Sequence, residues 1–120
     1  MAKGAAVQGQ AAADISRAGR ISVYELFRSR VRRDPAALAV EEGARQLSYR
    51  DLDARVRRVA TLLRQHDVQH GDRIALLSEN RTEYLELQLA AARIGAIVAC
   101  QNWRLASAEL QHCISLVTPP

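Results

Sequence analysis

Two short apolar runs separated by a helical pattern constrain the fold of this chain most strongly. Residues 73–77 read RIALL and follow the turn Gly71-Asp72, and residues 96–100 read AIVAC. Continuous apolar runs of this length are typical of parallel strands that are covered on both faces. Strand, helix and strand in this order predict a parallel sheet with a right-handed crossover. We therefore expect an α/β fold with a partial parallel sheet and flanking helices.

A helix and a small β-hairpin precede this unit. Ser22 is a good N-cap, and the helix it begins is expected to end at Asp34-Pro35, because the residue before a proline disfavours the α region. Residues 37–42 and 46–49 read as strands on either side of a turn at Gly43, which predicts a hairpin. The expected apolar stripe of the helix consists of Val23, Leu26, Phe27 and Val31.

The helix after the hairpin is the clearest amphipathic segment of the chain. Ser48 is followed by Asp51 at the spacing of a capping box, and the helix is expected to end near His66. Its apolar positions repeat with helical spacing, and arginines cover the other side. These apolar positions are Leu52, Val56, Val59, Ala60 and Leu63.

Two further helices are expected, one on each side of the second strand. Thr82 is placed to cap a helix over residues 83–94 that stops at Gly95 and is apolar on more than one side, as buried helices are. Its apolar residues are Tyr84, Leu85, Leu87, Leu89, Ala90, Ala91, Ala92 and Ile94. Ser107 is placed to cap the last helix, whose apolar side consists of Leu110, Cys113, Ile114 and Val117. No strand follows, so residues 21–120 read as a truncated portion of a domain.

The start of the chain differs in composition from the rest. Residues 1–20 are rich in Ala, Gln and Gly and hold few large apolar side chains, so we expect a disordered extension. The segment lacks the apolar block of a secretory signal. No apolar run in the chain reaches the ~20 residues that span a bilayer. We therefore expect no membrane span and a cytoplasmic location.

Charge and cysteine content narrow the class of partner. The formal net charge is +4, and Lys3 is the only lysine among the basic residues. The arginines are spread over several segments on expected solvated helix faces, which favours a solvated surface over a nucleic-acid patch. Cys100 and Cys113 are too few for a disulfide framework and are expected to be buried free thiols in a reducing cytosol.

Residues 22–120 carry an ordered set of short motifs that resembles the AMP-forming acyl-CoA synthetases and their adenylating relatives. No single motif is specific, but their order is. The motifs are Leu47-Ser48-Tyr49, Gly71-Asp72-Arg73-Ile74-Ala75, Glu79-Asn80, Glu83-Tyr84, Gly95-Ala96, Asn102, Arg104-Leu105 and Glu109-Leu110. The sequence NWRL resembles fatty- or aryl-acyl-CoA ligases more than peptide-synthetase domains. The resemblance implies the N-terminal portion of an AMP-binding domain, from an enzyme that joins a carboxylic acid to coenzyme A through an acyl-adenylate, with ATP and Mg²⁺.

The chain departs from the family pattern by substitution and by omission. Asp67-Val68 stands where the family often has Gly-Val, which predicts a different loop conformation, and Gln101 replaces a hydrophobic or Pro-like residue. The family's phosphate loop, which ends in Pro-Lys-Gly, is absent from the sequence, and so are its ribose-binding Asp and its C-terminal lysine. We therefore expect no catalytic, cofactor-binding or metal-binding residue in this chain, which alone should be inactive.

Weak candidates for a ligand rim follow the carboxyl ends of the strands, where α/β sheets bind ligands. They are Asn80, Asn102, Trp103 and Arg104. Trp103 could stack on a planar group, and Arg104 could meet a phosphate or carboxylate. The favoured alternative is loop anchoring, in which Trp103 packs under the next helix and the asparagines shape their turns.

Two histidine arrangements are weaker still. His66 and His70 have a spacing that could bring two imidazoles to one metal, but no third ligand is evident and two exposed loop histidines are favoured. His112 is adjacent to Cys113, but neighbouring helix residues point apart. A structural thiol is therefore favoured for Cys113.

Two functions besides the ligase fragment remain open. A non-enzymatic module acting through protein–protein contacts, including self-association, follows from the apolar helix over residues 83–94, because a large exposed apolar patch tends to find a partner. A nucleic-acid binder would need arginines that converge on one face. The ligase fragment is the favoured function.

Overall fold

The computed structural model describes residues 2–119 and contains five helices and four strands within that range. Met1 and Pro120, the outer ends of the predicted segments 1–20 and 21–120, lie outside the described residues. From the second helix onward, the order of the elements is as predicted. The elements are α1 (Ala2–Ala18), α2 (Val23–Arg33), β1 (Leu38–Glu42), β2 (Arg45–Ser48), α3 (Tyr49–Gln65), β3 (Arg73–Leu77), α4 (Thr82–Ile94), β4 (Ile97–Gln101) and α5 (Ser107–Val117).

The predicted parallel sheet is confirmed, and it consists of β3 and β4 alone in the described part of the chain. The strands pair in register from Arg73 opposite Ile97 to Leu77 opposite Gln101. The strands β1 and β2 form the predicted antiparallel hairpin, with Gly43 at a φ of 58° in the turn. The chain is therefore an α/β protein with a short parallel pair and a separate hairpin.

The helices α4 and α5 lie on opposite faces of the parallel pair. The Cys100 thiol accepts a hydrogen bond from Tyr84 of α4, and Arg73 donates one to Thr118, which ends α5. Cys100 and Arg73 belong to opposite faces, because Arg73 is level with Ile97 and side chains alternate along a strand. The cover on both faces is as expected, but it is thin, since no residue of β3 or β4 is fully buried.

The core lies where α3 packs against α4. The predicted apolar stripe of α3 is confirmed, and its Leu52, Val56 and Ala60 are fully buried beside Leu89 and Ala90 of α4. Most of the apolar surface of α4 is covered, by α3, by α2 and by β4, although Leu85 is exposed. The apolar α4 is thus largely an internal element, and self-association through it stays a prediction.

The predicted apolar face of α2 is half-buried at Phe27 and Val31, as expected, but is wrong at Val23 and Leu26. Val23 and Leu26 are exposed, whereas Tyr24 is buried and Phe27 packs beside it, with their ring centroids 6.2 Å apart. Arg93 of α4 donates a hydrogen bond to the Tyr24 hydroxyl and lies over its ring. The Tyr24 side chain faces the core because Arg93 of α4 provides a partner for its hydroxyl.

Two of the four predicted N-caps are confirmed, and two are displaced by one residue. Ser22 and Ser48 each accept the backbone N–H three residues on, in complete capping boxes with Glu25 and Asp51. The N-cap of α4 is Arg81, and Thr82 is the first helical residue. The N-cap of α5 is Ala106, whose N–H donates to the Glu109 carboxylate, so Ser107 does not cap this helix.

Asp67 adopts the conformation that a glycine would, so the expected change of loop conformation is wrong. Its φ is 61°, in the left-handed region. The Val68 N–H donates to the Leu63 carbonyl and the Asp67 N–H donates to the Arg64 carbonyl, both at 3.0 Å. These are the two hydrogen bonds of a Schellman motif, which ends α3. Aspartate tolerates this region better than most residues do.

Residues 2–18 form helix α1, where the sequence predicts a disordered extension. Alanine has the highest helix propensity of all residues, which favours helical geometry in this Ala-rich segment. From Ala6 to Arg20 every residue is exposed. The helix therefore adds no described side chain to the core, in line with its low content of large apolar residues.

Candidate functional site

The carboxyl ends of β3 and β4 lie side by side, and Asn80 and Asn102 follow them. Leu77 pairs with Gln101 at the last position of the sheet. The Asn102 side-chain oxygen accepts the Arg104 N–H at 3.0 Å, and the Leu105 N–H donates to the Asn102 carbonyl at 3.2 Å. Asn102 therefore shapes its own turn. In the turn after β3, Ser78 makes the local hydrogen bond, to the Glu79 carbonyl at 2.8 Å.

Trp103 and Arg104 form an exposed stacked pair. The guanidinium carbon of Arg104 lies 5.0 Å from the centre of the Trp103 ring, and both side chains are exposed. Trp103 is 48% exposed, so it is not fully packed under the next helix as expected. A contact of either residue with a ligand stays a prediction.

A cleft of about 300 Å³ opens between the hairpin and the first two turns of α4. Apolar and polar side chains share its lining. The lining residues are Val40, Glu41, Glu42, Asn80, Arg81, Thr82, Tyr84, Leu85 and Gln88. Asn80 is thus at the cleft, whereas Asn102, Trp103 and Arg104 are not among its lining residues. The four rim candidates therefore do not converge on one cavity.

Glu42 of the hairpin closes the N-terminus of α4. One oxygen of its carboxylate accepts hydrogen bonds from the Thr82 hydroxyl at 2.7 Å and from the Thr82 N–H at 3.4 Å. Thr82 is fully buried at this point. A carboxylate near the first N–H groups of a helix is favourable because those groups carry partial positive charge. Arg81 is the N-cap residue, but its side chain makes no capping hydrogen bond. Glu42 of the hairpin provides that hydrogen bond instead.

A set of ion pairs extends from this cap to α3. Arg45 of β2 lies 2.8 Å from Glu83 and 3.7 Å from Glu42, and Arg55 of α3 pairs with the buried Glu86 of α4. The hydrogen bond from Arg45 and its charge hold the pKa of Glu83 below its ordinary value. These five residues join the hairpin, α3 and α4, and we refer to them below as the charge network.

The sequence analysis did not identify the charge network. One indication was available: Glu86 follows Thr82 by one helical turn and precedes Leu89 by three positions, so it falls on the buried stripe of α4. A carboxylate on a buried stripe requires a partner. Arg55 lies 31 positions from Glu86 along the chain, and Arg45 lies 38 positions from Glu83. Only the packing of α3 against α4 and the contact of the hairpin with α4 reveal these partners.

Cys100 is exposed and Cys113 is half-buried, so the expected burial of both thiols is wrong. The Tyr84 hydroxyl donates to the Cys100 sulfur at 2.6 Å, and the Gln88 amide lies 3.6 Å from it. This hydrogen bond is the main cause that raises the pKa of Tyr84 above its ordinary value. Cys100 is exposed because no further strand flanks β4 within residues 2–119.

The two histidines with metal-like spacing, His66 and His70, are both exposed, as the favoured alternative predicts. His66 ends α3, and the His70 ring lies against Gly95, where an added Cβ would be 2.2 Å from His70 Cδ2. The left-handed φ of 79° at Gly95 completes the predicted stop of α4. Within residues 2–119 there is no cluster of three or more His, Cys, Asp or Glu side chains suited to a metal, nor a helix long and apolar enough to cross a membrane.

Comparisons with known proteins identify the family. The family model described as AMP-binding enzyme matches residues 27–119. The chain is 41% identical over 86 residues to a feruloyl-CoA synthase from Amycolatopsis sp., which covers 72% of this chain and 18% of that relative. It is 33% identical over 101 residues to long-chain fatty acid transport protein 6 from Mus musculus, which covers 82% of this chain and 16% of that relative.

A solved structure shows the same fold. The inhibitor-bound N-terminal domain of FACL13 from Mycobacterium tuberculosis superposes with a TM-score of 0.77 and 30% identity, over 80% of this chain and 25% of that chain. The chain thus spans less than a fifth of the two curated relatives and a quarter of this domain. Together, the match over residues 27–119 and these relatives show that the chain belongs to the AMP-binding enzyme family and has the fold of an N-terminal fragment of an adenylate-forming enzyme.

Proposed function

We propose that this chain serves as the N-terminal part of an ATP-dependent acid–CoA ligase, which forms an acyl-adenylate and then an acyl-CoA. The observation that carries the proposal is the family match over residues 27–119, which spans every element from the second half of α2 to α5. The relatives named as a feruloyl-CoA synthase and a fatty acid transport protein support a carboxylic acid as the substrate class. Because those two names differ in the acid, they do not select an aryl or a fatty acid. We place the parent enzyme in the cytoplasm.

The role of this region in the parent is that of a scaffold. Its core, the α3–α4 interface, is held to the hairpin by the charge network, and the carboxyl-end turns of β3 and β4 are closed by local hydrogen bonds of Ser78 and Asn102. Electrostatic stabilisation of a reacting phosphate requires donors aimed at the site where charge develops. Glu42 and Arg45 are instead directed at Thr82 and Glu83.

We further propose that this chain contributes no site of its own for ATP, Mg²⁺ or coenzyme A. The described residues hold no carboxylate cluster suited to a metal, and the exposed Arg104 lies over the Trp103 ring. The sequence contains no Pro-Lys-Gly phosphate loop. We therefore assign no chemical step to this chain, and the isolated 120-residue chain should be catalytically inactive.

A chimera tests the proposal. The segment of the Amycolatopsis feruloyl-CoA synthase that aligns with this chain is replaced by the corresponding residues of this chain. We expect the purified chimera to release pyrophosphate when ferulate and ATP are both present and to form feruloyl-CoA when coenzyme A is added. The isolated chain should do neither.

Two controls give this experiment its meaning. Circular dichroism and thermal melting establish that the chimera is folded, and the unmodified synthase gives the reference rate. A folded chimera that forms no acyl-adenylate would contradict the proposal. Acyl-adenylate formation by the isolated chain would contradict the inactivity that we assign to it.

A further inference from the structure

The cleft of about 300 Å³ between the hairpin and α4 is formed by one face of the helix and one face of β1. Arg81, Tyr84, Leu85 and Gln88 follow one another at i, i+3, i+4 and i+7, so they share one face at the start of α4. The volume lies at the lower end of the range for small-molecule sites. The cleft can therefore hold a small organic molecule.

The two carboxylates at the cleft already have partners. Glu42 accepts a hydrogen bond from the Thr82 hydroxyl at 2.7 Å, and Arg45 lies 3.7 Å from the same carboxylate. Glu41 is level with Gln46 in the hairpin, and the Gln46 amide donates to its carboxylate at 3.2 Å. Because side chains alternate along a strand, the Glu41 carboxylate lies on the face opposite to that of Glu42. Among the described lining residues, neither carboxylate is therefore directed at a ligand in the cleft.

Asn80 and Arg81 supply the donors that remain for a ligand. Within residues 2–119, the Asn80 amide and the Arg81 guanidinium make no side-chain hydrogen bond, and Arg81 makes no ion pair. Both residues are exposed at the cleft. Tyr84 and Gln88 are instead directed at the Cys100 sulfur, at 2.6 Å and 3.6 Å. An amide and a guanidinium from neighbouring residues are groups that bind a carboxylate well.

Val40 and Leu85 provide apolar surface beside these donors. Val40 is half-buried and lies on the same face of β1 as Glu42, since one residue separates them, and Leu85 is 36% exposed. Apolar area with a few oriented polar groups is the usual lining of a small-molecule site. A ligand that matches this cleft therefore combines a negatively charged acceptor with a compact apolar body.

We infer that this cleft binds a small carboxylate with an aryl or short alkyl body, with Arg81 and Asn80 on the carboxylate and Leu85 and Val40 on the apolar body. The site is additional to the one where the parent would activate its acid, because this chain lacks the phosphate loop on which that activation depends. The inference does not rest on the proposed function, since binding to the isolated chain requires no adenylation.

NMR titration of the full chain with benzoate tests the inference. We expect saturable shifts of the Val40, Arg81 and Leu85 amides, with a dissociation constant of about 1 mM, in keeping with a ligand of about nine non-hydrogen atoms in an open cleft. Benzamide has the same body without the charge, and acetate has the charge without the body. Each should bind about tenfold more weakly than benzoate or less tightly still.

Matched substitutions locate the site. Arg81→Gln should weaken benzoate binding by about tenfold, because the charge-assisted hydrogen bonds are lost. Arg81→Lys should weaken it less, since lysine keeps the charge but not the planar fork. Leu85→Ala should weaken it by about threefold through lost apolar contact. Arg58→Gln is the control, because Arg58 is an exposed arginine of α3 that is not among the lining residues of the cleft.

Each outcome decides the inference. Shifts that are centred on the cleft and decrease with Arg81→Gln, but not with Arg58→Gln, support it. Shifts that do not saturate, binding of benzamide as tight as that of benzoate, or an equal loss with Arg58→Gln would overturn it. Equally tight binding of acetate would also overturn it, because the apolar body would then have no role. Thermal melting establishes that each variant is folded, and Arg81→Lys and Leu85→Ala provide the same test if Arg81→Gln is not.

Discussion

The Glu42 carboxylate of the hairpin holds the first residue of α4, Thr82, by two hydrogen bonds that share one carboxylate oxygen, at 2.7 Å from the hydroxyl and 3.4 Å from the N–H. Helix N-termini are usually satisfied by the side chain of the N-cap residue. Here a residue 40 positions earlier replaces it. The start of α4 therefore depends on a tertiary contact, and the hairpin and α4 should be lost together.

The first prediction concerns this contact. Thr82→Val keeps the shape of the side chain, removes the hydroxyl and leaves the carboxylate with a weaker partner. We expect a loss of about 1–2 kcal/mol in the free energy of unfolding, because a hydrogen bond to a charged group contributes about 1.5–3 kcal/mol and the Glu42 carboxylate is partly solvated. Urea denaturation measures it. Thr61→Val is the matched control, since the exposed Thr61 hydroxyl bonds only the Arg57 carbonyl of its own helix, at 3.0 Å. A loss from Thr61→Val as large as that from Thr82→Val would contradict the argument.

The second prediction concerns Arg55 and Glu86. The Glu86 side chain is 6% exposed and that of Arg55 is 36% exposed. Arg55→Met leaves a buried carboxylate without its partner, and we expect it to cost about 2–3 kcal/mol, less than for a fully buried pair because water reaches Arg55. Replacing both residues, as Arg55→Met with Glu86→Leu, should cost less than Arg55→Met alone.

A double-mutant cycle on Arg55 and Glu86, measured by urea denaturation, checks this prediction. The coupling energy between the two positions should be favourable by about 1 kcal/mol or more. A matched cycle on Arg17 and Asp14, an exposed pair on α1 at 3.5 Å, should give a coupling near zero. If the double variant were as unstable as the sum of the single variants, the two side chains would not interact energetically.

The parts of the fold that sequence patterns predict are those decided by local interactions. The capping boxes at Ser22 and Ser48 involve residues three positions apart, and the turns at Gly43 and Gly95 need a left-handed residue. The apolar stripe of α3 also follows from helical spacing alone. In each case the physical cause lies within one or two helical turns, so the sequence contains it.

The features that sequence patterns miss depend on how elements pack. Tyr24 is buried because Arg93 of α4 meets its hydroxyl, and Cys100 is exposed because no further strand flanks β4 in the described part of the chain. The Asn102 turn was predictable, since an Asn side chain bonds backbone two residues on. The exposure of Trp103 was not predictable, because hydrophobic periodicity does not predict the burial of a residue in a turn.

The third prediction concerns the left-handed residue that ends α3. Asp67 has a φ of 61°, where a side chain costs energy that glycine does not incur. Asp67→Gly should therefore raise the free energy of unfolding by about 0.5–1 kcal/mol, after the greater freedom of glycine in the unfolded chain is subtracted. Asp67→Ala should lower it, because alanine tolerates this region less well than aspartate. Thermal melting of the three proteins gives the order, and an Asp67→Ala variant more stable than Asp67→Gly would contradict it.

The fourth prediction concerns the pH dependence of stability at the start of α3. The Ser48 hydroxyl at 2.7 Å and the Ser48 N–H at 3.4 Å donate to the Asp51 carboxylate and hold its pKa below the ordinary value. Because the folded-state pKa is the lower one, the interaction adds stability above the unfolded pKa of aspartate, about 3.9. That stability is lost as the pH falls through the folded pKa.

Ser48→Ala should raise the pKa of Asp51 and reduce the loss of stability between about pH 7 and about pH 3. Carboxyl-carbon NMR titration and urea denaturation measure the two effects. Ser115→Ala, which removes a hydroxyl bonded to the His112 carbonyl, is the control and should change neither. An Asp51 titration unaffected by Ser48→Ala would show that the capping box does not set this pKa.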